Sequence, residues 1–330
     1  MAPDPVFPPS PSPLSPAPRL VALAGGVGGA RLADGLAQII AADSLSVIVN
    51  VGDDFELLGL KICPDLDTVC YTLAGVANPA TGWGRIEESW QALDALEALG
   101  GPAWFRLGDR DLGLQLERTR RMREGQSLSQ ITGHFCRSLG IRSSVLPMTD
   151  DYVPTRVYTN EGELPFQEYF VHRRCAPQVT GFRFENVEQA RPAEGVLEAL
   201  EESELVIVCP SNPWVSVDPI LALPGVRRAV EARPMLAVSP IIGGHTVKGP
   251  AAKMYAELGI QPSSLAVAQH YRNLLAGFVL DKVDEDRLED IRELGIATLV
   301  TDILMKTPSD RARLAKEVVV FGKKLMEEHL

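Results

Sequence analysis

The feature that most constrains this chain is a six-residue, almost wholly apolar run at 19–24 (RLVALA). It leads directly into Gly25-Gly26-Val27-Gly28-Gly29 and then into a helical pattern over 30–40. That order reads as strand, tight glycine turn, helix. A second apolar run, 45–51 (LSVIVNV), stops at Gly52-Asp53-Asp54. Neither run alternates polar with apolar residues, as expected of parallel strands covered on both faces. Further strands are predicted at 205–209, 235–238, 277–280 and 297–301. Helical patterns lie between them, among others at 90–99, 219–223, 226–232 and 251–258, the last closed by Gly259. The alternation predicts an α/β fold with a doubly wound, mostly parallel sheet.

The middle of the chain breaks this rhythm. A helix over 127–139 is followed by short predicted strands at 145–147, 155–159, 167–172 and 178–184, separated by Asn160-Glu161-Gly162 and by prolines. We read 126–200 as an inserted α+β subdomain, with 19–125 and 201–330 forming the core. Residues 1–18 hold eight prolines and almost no charge, the composition of a disordered polyproline-like tail with no part in the chemistry.

Composition narrows the function. With 32 basic against 43 acidic residues the 330-residue chain carries a net charge of −11, which argues against a broad footprint on nucleic acid or anionic lipid. No apolar run approaches the roughly 20 residues of a membrane-spanning helix. The five cysteines are scattered and form no CxxC pair. They suggest neither a disulfide framework nor a zinc site, and a reducing cytoplasm is the expected home.

Chemistry-bearing residues gather where strands should end. The Gly25–Gly29 turn, with Gly26, Gly28 and Gly29, allows backbone N–H groups to approach a diphosphate at the positive end of a helix, although a turn that merely packs helix on strand would carry the same glycines. It is not a GxxxxGK[ST] loop. Asp53 and Asp54 follow the second strand, and Asp65 and Asp67 follow shortly in PDLDT. Four such carboxylates repel one another unless a cation or basic ligand offsets them, which points to magnesium, while a solvated, helix-capping turn is the plainer reading of the first pair. Arg106-Leu107-Gly108-Asp109-Arg110-Asp111 adds guanidiniums suited to phosphate or a polar heterocycle, or else to a surface ion-pair network. Trp83, Trp90, Trp104 and Phe105 lie near it in sequence. Ser211 and Asn212 sit beyond another strand, and Gly243 and Lys248 lie in a loop fit to cover a phosphate.

Taken in order, LAGGVGGARL (23–32), VNVGDD (49–54), ICPDLDT (62–68), GWG (82–84), LGDRD (107–111), LPMTDD (146–151), PFQEY (165–169), PSNP (210–213), SVDPIL (216–221) and VSPIIGG (238–244) resemble the 2-phospho-L-lactate transferase family of coenzyme F-420 biosynthesis. The resemblance runs from about residue 19 to about 325. It implies a Rossmann-like core with an insertion, a homodimer, and a magnesium-dependent transfer. In that reaction the ribityl hydroxyl of the deazaflavin FO attacks the phosphorus of a guanosine diphosphate ester of 2-phospholactate or phosphoenolpyruvate, and GMP leaves. By resemblance Asp67 and Arg106 match FO-contacting positions, with Asp109 as a further expected FO-binding residue, and Asp53 matches a metal-binding carboxylate, with Asp54 and Asp65 as further candidates. Asp53, Asp67 and Arg106 are thus the expected catalytic set, Asp67 the first choice to take the hydroxyl proton. The glycine turn, Ser211, Asn212, Gly243 and Lys248 are expected around the guanosine diphosphate. The overall likeness, above all in the VGGVGGAR-like and ICPDLDT segments, leans the donor towards the enolpyruvyl ester. Two other classes compete: a sugar-nucleotide-binding regulator sharing the glycine turn, and a nicotinamide-dependent oxidoreductase in which Asp53 would meet a ribose.

Overall fold

The computed structural model describes residues 19–328. The proline-rich stretch 1–18 lies outside the described residues. Seven strands form the main sheet: β1 Leu20–Ala24, β2 Leu45–Val49, β3 Ser144–Pro147, β4 Leu205–Val208, β5 Met235–Val238, β6 Leu275–Asp281 and β7 Ala297–Thr301. Their spatial order is β7-β6-β5-β4-β1-β2-β3, and every pairing is parallel. This is the doubly wound Rossmann-like arrangement, with the order reversing between β1 and β4. β1, β4 and β5 are buried along their whole length, which accounts for their unbroken apolar sequence.

The glycine turn opens helix α1, Gly26–Ile39, four residues earlier than the apolar periodicity suggests, because Gly28 and Gly29 already lie in its first turn. The helix α1 lies against the C-terminal helix Pro308–Glu328. A side chain at Gly35 would come within 2.2 Å of the Arg311 carbonyl, and Asp34 pairs with Arg311 at 3.0 Å. Helix α2, Pro64–Leu73, starts on a proline whose missing N–H costs nothing there and carries Asp65 and Asp67 in its first turn. Helix α3, Asp109–Arg123, places acidic residues at its start and arginines at its end, the favourable order for a helix dipole.

Within 126–200 the helix Leu128–Ser138 is closed by a capping box of Ser127 and Gln130. Strand β3 lies in this segment too, yet it pairs with β2 at the edge of the main sheet. The separate sheet is formed by Thr155–Thr159, Gly162–Pro165 and Val179–Phe184, all antiparallel. The predicted strand over 167–172 is instead a π-helix, Glu168–His172. Its residues read as a strand because they are apolar and aromatic, but Phe166 and Tyr169 pack beneath the small sheet with Val157, Val179, Val215 and Met254, a demand that a helical turn meets and alternation does not.

Among the described residues no helix is long and apolar enough to cross a membrane, and all five cysteines are free.

Candidate active site

The carboxyl ends of β1, β2, β4 and β5 open into one cavity of about 670 Å³, at the switch point where such sheets bind ligands. Residues of the glycine turn, α2, α3, the π-helix and the loop after β5 complete its wall.

At the end of β1 the turn is held by close approach. Side chains at Gly25 and Gly28 would meet Ser216 Cβ at 2.6 Å and the Pro210 carbonyl at 2.2 Å, so neither position admits a Cβ without movement. Gly26 takes a left-handed φ of +62° and its N–H donates to Asp65 Oδ1 at 2.7 Å. The Gly25 N–H donates to Ser211 Oγ at 3.2 Å, and the Ser211 hydroxyl donates to the Gly25 carbonyl at 2.9 Å. Ser211 thus locks the β4 loop to the β1 turn. Gly26, Gly28, Ser211, Asn212 and Lys248 all line the cavity. Gly29 lies one residue deeper, against Ala24, and Gly243 does not line the cavity either, its N–H donating to the Asp284 carboxylate. Arg31, which the sequence reading passed over, also lines the cavity. Burial and then Arg31 lower the Lys248 pKa, while the Lys248 ammonium rests on the Thr81 carbonyl. Two cations repelling one another beside the N-terminus of α1 make a region that favours a polyanion.

The β2 end carries the acidic centre. Asp53 is 5% exposed; its Oδ2 accepts from Gln167 Nε2 at 3.1 Å, and its buried Oδ1 has no hydrogen-bond partner among the described residues. Burial, then Asp65 and Asp54, push its pKa well above the usual carboxylate range. Asp65 is pushed up to about 6 by burial, although hydrogen bonds from Asn50 Nδ2 (2.9 Å) and Gly26 favour its charge. Both line the cavity. Asp54 does not; it pairs with Lys61 Nζ at 3.0 Å. Among the described residues no three or more His, Cys, Asp or Glu side chains cluster as a metal cage. A pair of carboxylates with one unpartnered oxygen instead suits magnesium, which takes one or two protein carboxylates and shares the rest of its shell with water and phosphate.

The third region lies at the start of α2 and α3. Asp67 is fully engaged: Arg118, 2% exposed, forks onto both its oxygens, and Gln115 Nε2 donates to Oδ2 at 2.7 Å. Asp111 lines the cavity beside it, accepting on Oδ1 from the Tyr71 hydroxyl (2.6 Å) and Gln115 (3.0 Å). Burial, then the Asp67 charge, raise it to about 6. Asp109 instead turns outward, where its carboxylate accepts from Ser89 Oγ, Gln91 N and Ala92 N at 2.5, 3.1 and 3.0 Å. Arg110 is likewise spent on Glu87. Arg106 stacks over Trp90, 4.3 Å from its centroid, and reaches the cavity rim. Trp83, Trp104, Phe105, Phe166 and Phe170 supply an apolar, aromatic wall, and Trp104 stacks on His172 at 5.1 Å. The sequence reading missed Tyr71, Gln115, Arg118, Gln167 and Arg174. Each is an ordinary side chain inside a helix or turn; only the fold brings Tyr71, Gln115, Arg118 and Gln167 to the carboxylates and Arg174 to the cavity wall.

A family model described as "2-phospho-L-lactate transferase CofD" matches residues 20–316. The chain belongs to this family. As a member it is a transferase, built on the Rossmann-like core described above. It is 41% identical over 317 residues to the phosphoenolpyruvate transferase of Streptomyces coelicolor, spanning 94% of this chain and 99% of that one. It is also 41% identical over 304 residues to the 2-phospho-L-lactate transferase of Methanopyrus kandleri, spanning 91% and 96%. Among solved structures, protein BH3568 of Bacillus halodurans superposes with a TM-score of 0.62 over 92% of this chain and 99% of its own, at 15% identity, a likeness of fold alone.

Proposed function

We propose that this CofD-family transferase acts in coenzyme F-420 biosynthesis, moving a phosphoenolpyruvyl group from its guanosine diphosphate ester to the ribityl hydroxyl of FO with release of GMP; the 2-phospho-L-lactyl ester is the competing donor. One observation carries the reading: a single cavity joins a cationic, glycine-lined region to an aromatic region, with Asp53 beyond the end of β2 and Asp65 in the first turn of α2. A nucleoside diphosphate ester matches the first region and a flat heterocycle with a polyol tail matches the second.

The chain's own groups divide the work. Backbone N–H groups of the turn, Arg31 and Lys248 hold the diphosphate, and Ser211 and Asn212 fix the β4 loop around it. The aromatic wall and Arg106 orient the FO ring. Asp67 has both oxygens held by Arg118 and Gln115, so it works as a fixed anionic anchor, and Asp111 beside it offers the acceptor an oxygen that carries no hydrogen bond among the described residues. In the reaction the hydroxyl oxygen bonds to the phosphorus bearing the acid, the bond from that phosphorus to the GMP oxygen breaks, and the hydroxyl proton passes to a base. Positioning and charge neutralisation dominate such transfers. A magnesium ion fits Asp53, through its unpartnered oxygen, and Asp65, and when bound it neutralises charge on the phosphate oxygens.

FO fluorescence titration tests the acceptor half. Saturable binding by the wild type, weakened about tenfold or more in Arg106→Ala, is the expected result. A protein that ignores FO and is instead stabilised by a uridine diphosphate sugar is a regulator and not this transferase.

A further inference from the structure

Four cationic side chains line the cavity: Arg31, Arg106, Arg174 and Lys248. Three have evident work. Arg31 and Lys248 stand by the glycine turn, and Arg106 stacks on Trp90 at the aromatic region. Arg174 has no ion-pair or hydrogen-bond partner among the described residues, although the arginine before it is engaged twice over, with Glu161 at 2.9 Å and Glu168 at 3.0 Å. It is held out in a costly way. Arg174 and Cys175 both take left-handed backbone, with φ of +50° and +55°, a conformation that side-chain-bearing residues avoid. The bend is stitched by Arg173 N–H to the Glu168 carbonyl and Cys175 N–H to the Tyr169 carbonyl, each 2.9 Å. The same segment is tied to the reacting end of β2 through Gln167, which bonds Asp53.

We infer that Arg174 recognises the carboxylate of the three-carbon acid on the donor and so sets the enzyme's demand for an acid-bearing ester. This deepens the proposed function and rests on it. Such a donor brings to the cavity a diphosphate and, separately, a carboxylate. The diphosphate falls to the turn, Arg31 and Lys248. A planar guanidinium that is unpaired until substrate arrives, on the wall bonded to Asp53, matches the remaining carboxylate by fork-to-fork hydrogen bonding. Because Arg174 is exposed, its replacement leaves the core untouched.

The test compares, on the wild type, Arg174→Ala and Arg174→Lys, each acid-bearing guanosine diphosphate ester with the ester that differs only in lacking the carboxylate: enolpyruvyl against vinyl, and lactyl against ethyl. The wild type is expected to prefer the acid-bearing member of the pair it uses, the enolpyruvyl pair first. In Arg174→Ala kcat/KM for that acid-bearing ester falls about 10- to 100-fold, with its carboxylate-free counterpart, GDP binding and FO binding unchanged, and Arg174→Lys restores part of the loss. Equal losses with both esters, loss of GDP binding, or no loss at all would overturn the assignment while leaving the transferase standing. A wild type that binds FO but transfers from no acid-bearing ester, lactyl or enolpyruvyl, would overturn the transferase reading and this inference with it.

Discussion

Asp111 shows how a single residue is kept at a cost to stability. Its pKa is raised by burial and by Asp67 from the ordinary carboxylate value to about 6. The folded chain therefore binds its proton more tightly than the unfolded chain. Its contribution is most favourable at low pH and is lost as pH rises from about 4 through 6. At neutral pH the charged Asp111 destabilises the fold. Asp111→Asn keeps an oxygen for Tyr71 and Gln115 and removes that charge, so the variant is expected to be more stable at pH 7 by about 1–2 kcal/mol, with the advantage gone below pH 4. Its FO affinity should fall about tenfold in the same preparation. Melting curves at pH 4 and 7 check the first statement, and a stability gain that does not change with pH would refute the electrostatic account. Gly28 behaves oppositely: a methyl there meets the Pro210 carbonyl, so Gly28→Ala should lose about 1–3 kcal/mol and most activity, read by denaturant unfolding and turnover. Residue identity at the glycine turn was legible in the sequence because only glycine fits. The partnership of Asp67 with Arg118 was not, since 51 positions separate them and arginines on a polar helix look alike.

At the scale of elements, six of the seven strands of the main sheet were legible, the central ones because burial on both faces writes a continuous apolar run, as in LVIVC and MLAV, whereas the edge strand β3, only partly buried, reads as part of the inserted segment. Their ends were legible too, and with them Asp53, Ser211 and the loop after β5. The π-helix Glu168–His172 was not, because its apolar residues answer to the packing of Phe166 and Tyr169 under the small sheet and not to its own periodicity. That element owes its position partly to Gln167, which reaches 114 residues back in sequence to Asp53. Gln167→Ala is expected to free the segment: KM for the donor rises several-fold, and proteolysis near 166–175 quickens, with the melting temperature nearly unchanged. Unaltered kinetics would detach this element from the site. The capping box at Ser127, by contrast, is far from the chemistry, so Ser127→Ala should cost about 1 kcal/mol and leave kcat and KM as they were.

For the whole molecule, the strand order 3-2-1-4-5-6-7 fixes where the cavity opens before any side chain is considered. Reversal between β1 and β4 opens the crevice, and the ends of β1, β2, β4 and β5 deliver glycines, carboxylates, a serine and a lysine-bearing loop to its rim. The charge of −11 is therefore no obstacle to binding polyanions, because the cavity gathers its own cations locally. What the sequence left open at this scale was which of its acidic residues face inward. Asp109 and Asp111 stand two positions apart on α3, and one staples loops while the other lines the cavity. Helical pitch decides between them, and it acts only once the start of α3 is fixed at Gly108, where any Cβ would meet the Glu88 carboxylate. The central claim is that one cavity brings FO and a guanosine diphosphate ester together for transfer. The most direct test incubates the protein with FO, magnesium and either the enolpyruvyl or the lactyl guanosine diphosphate, and follows products by mass spectrometry. We predict GMP together with FO heavier by one phosphoenolpyruvyl group, and no product after chelation of magnesium or in Asp53→Ala. FO unchanged with both donors, under conditions where it binds, would contradict the account.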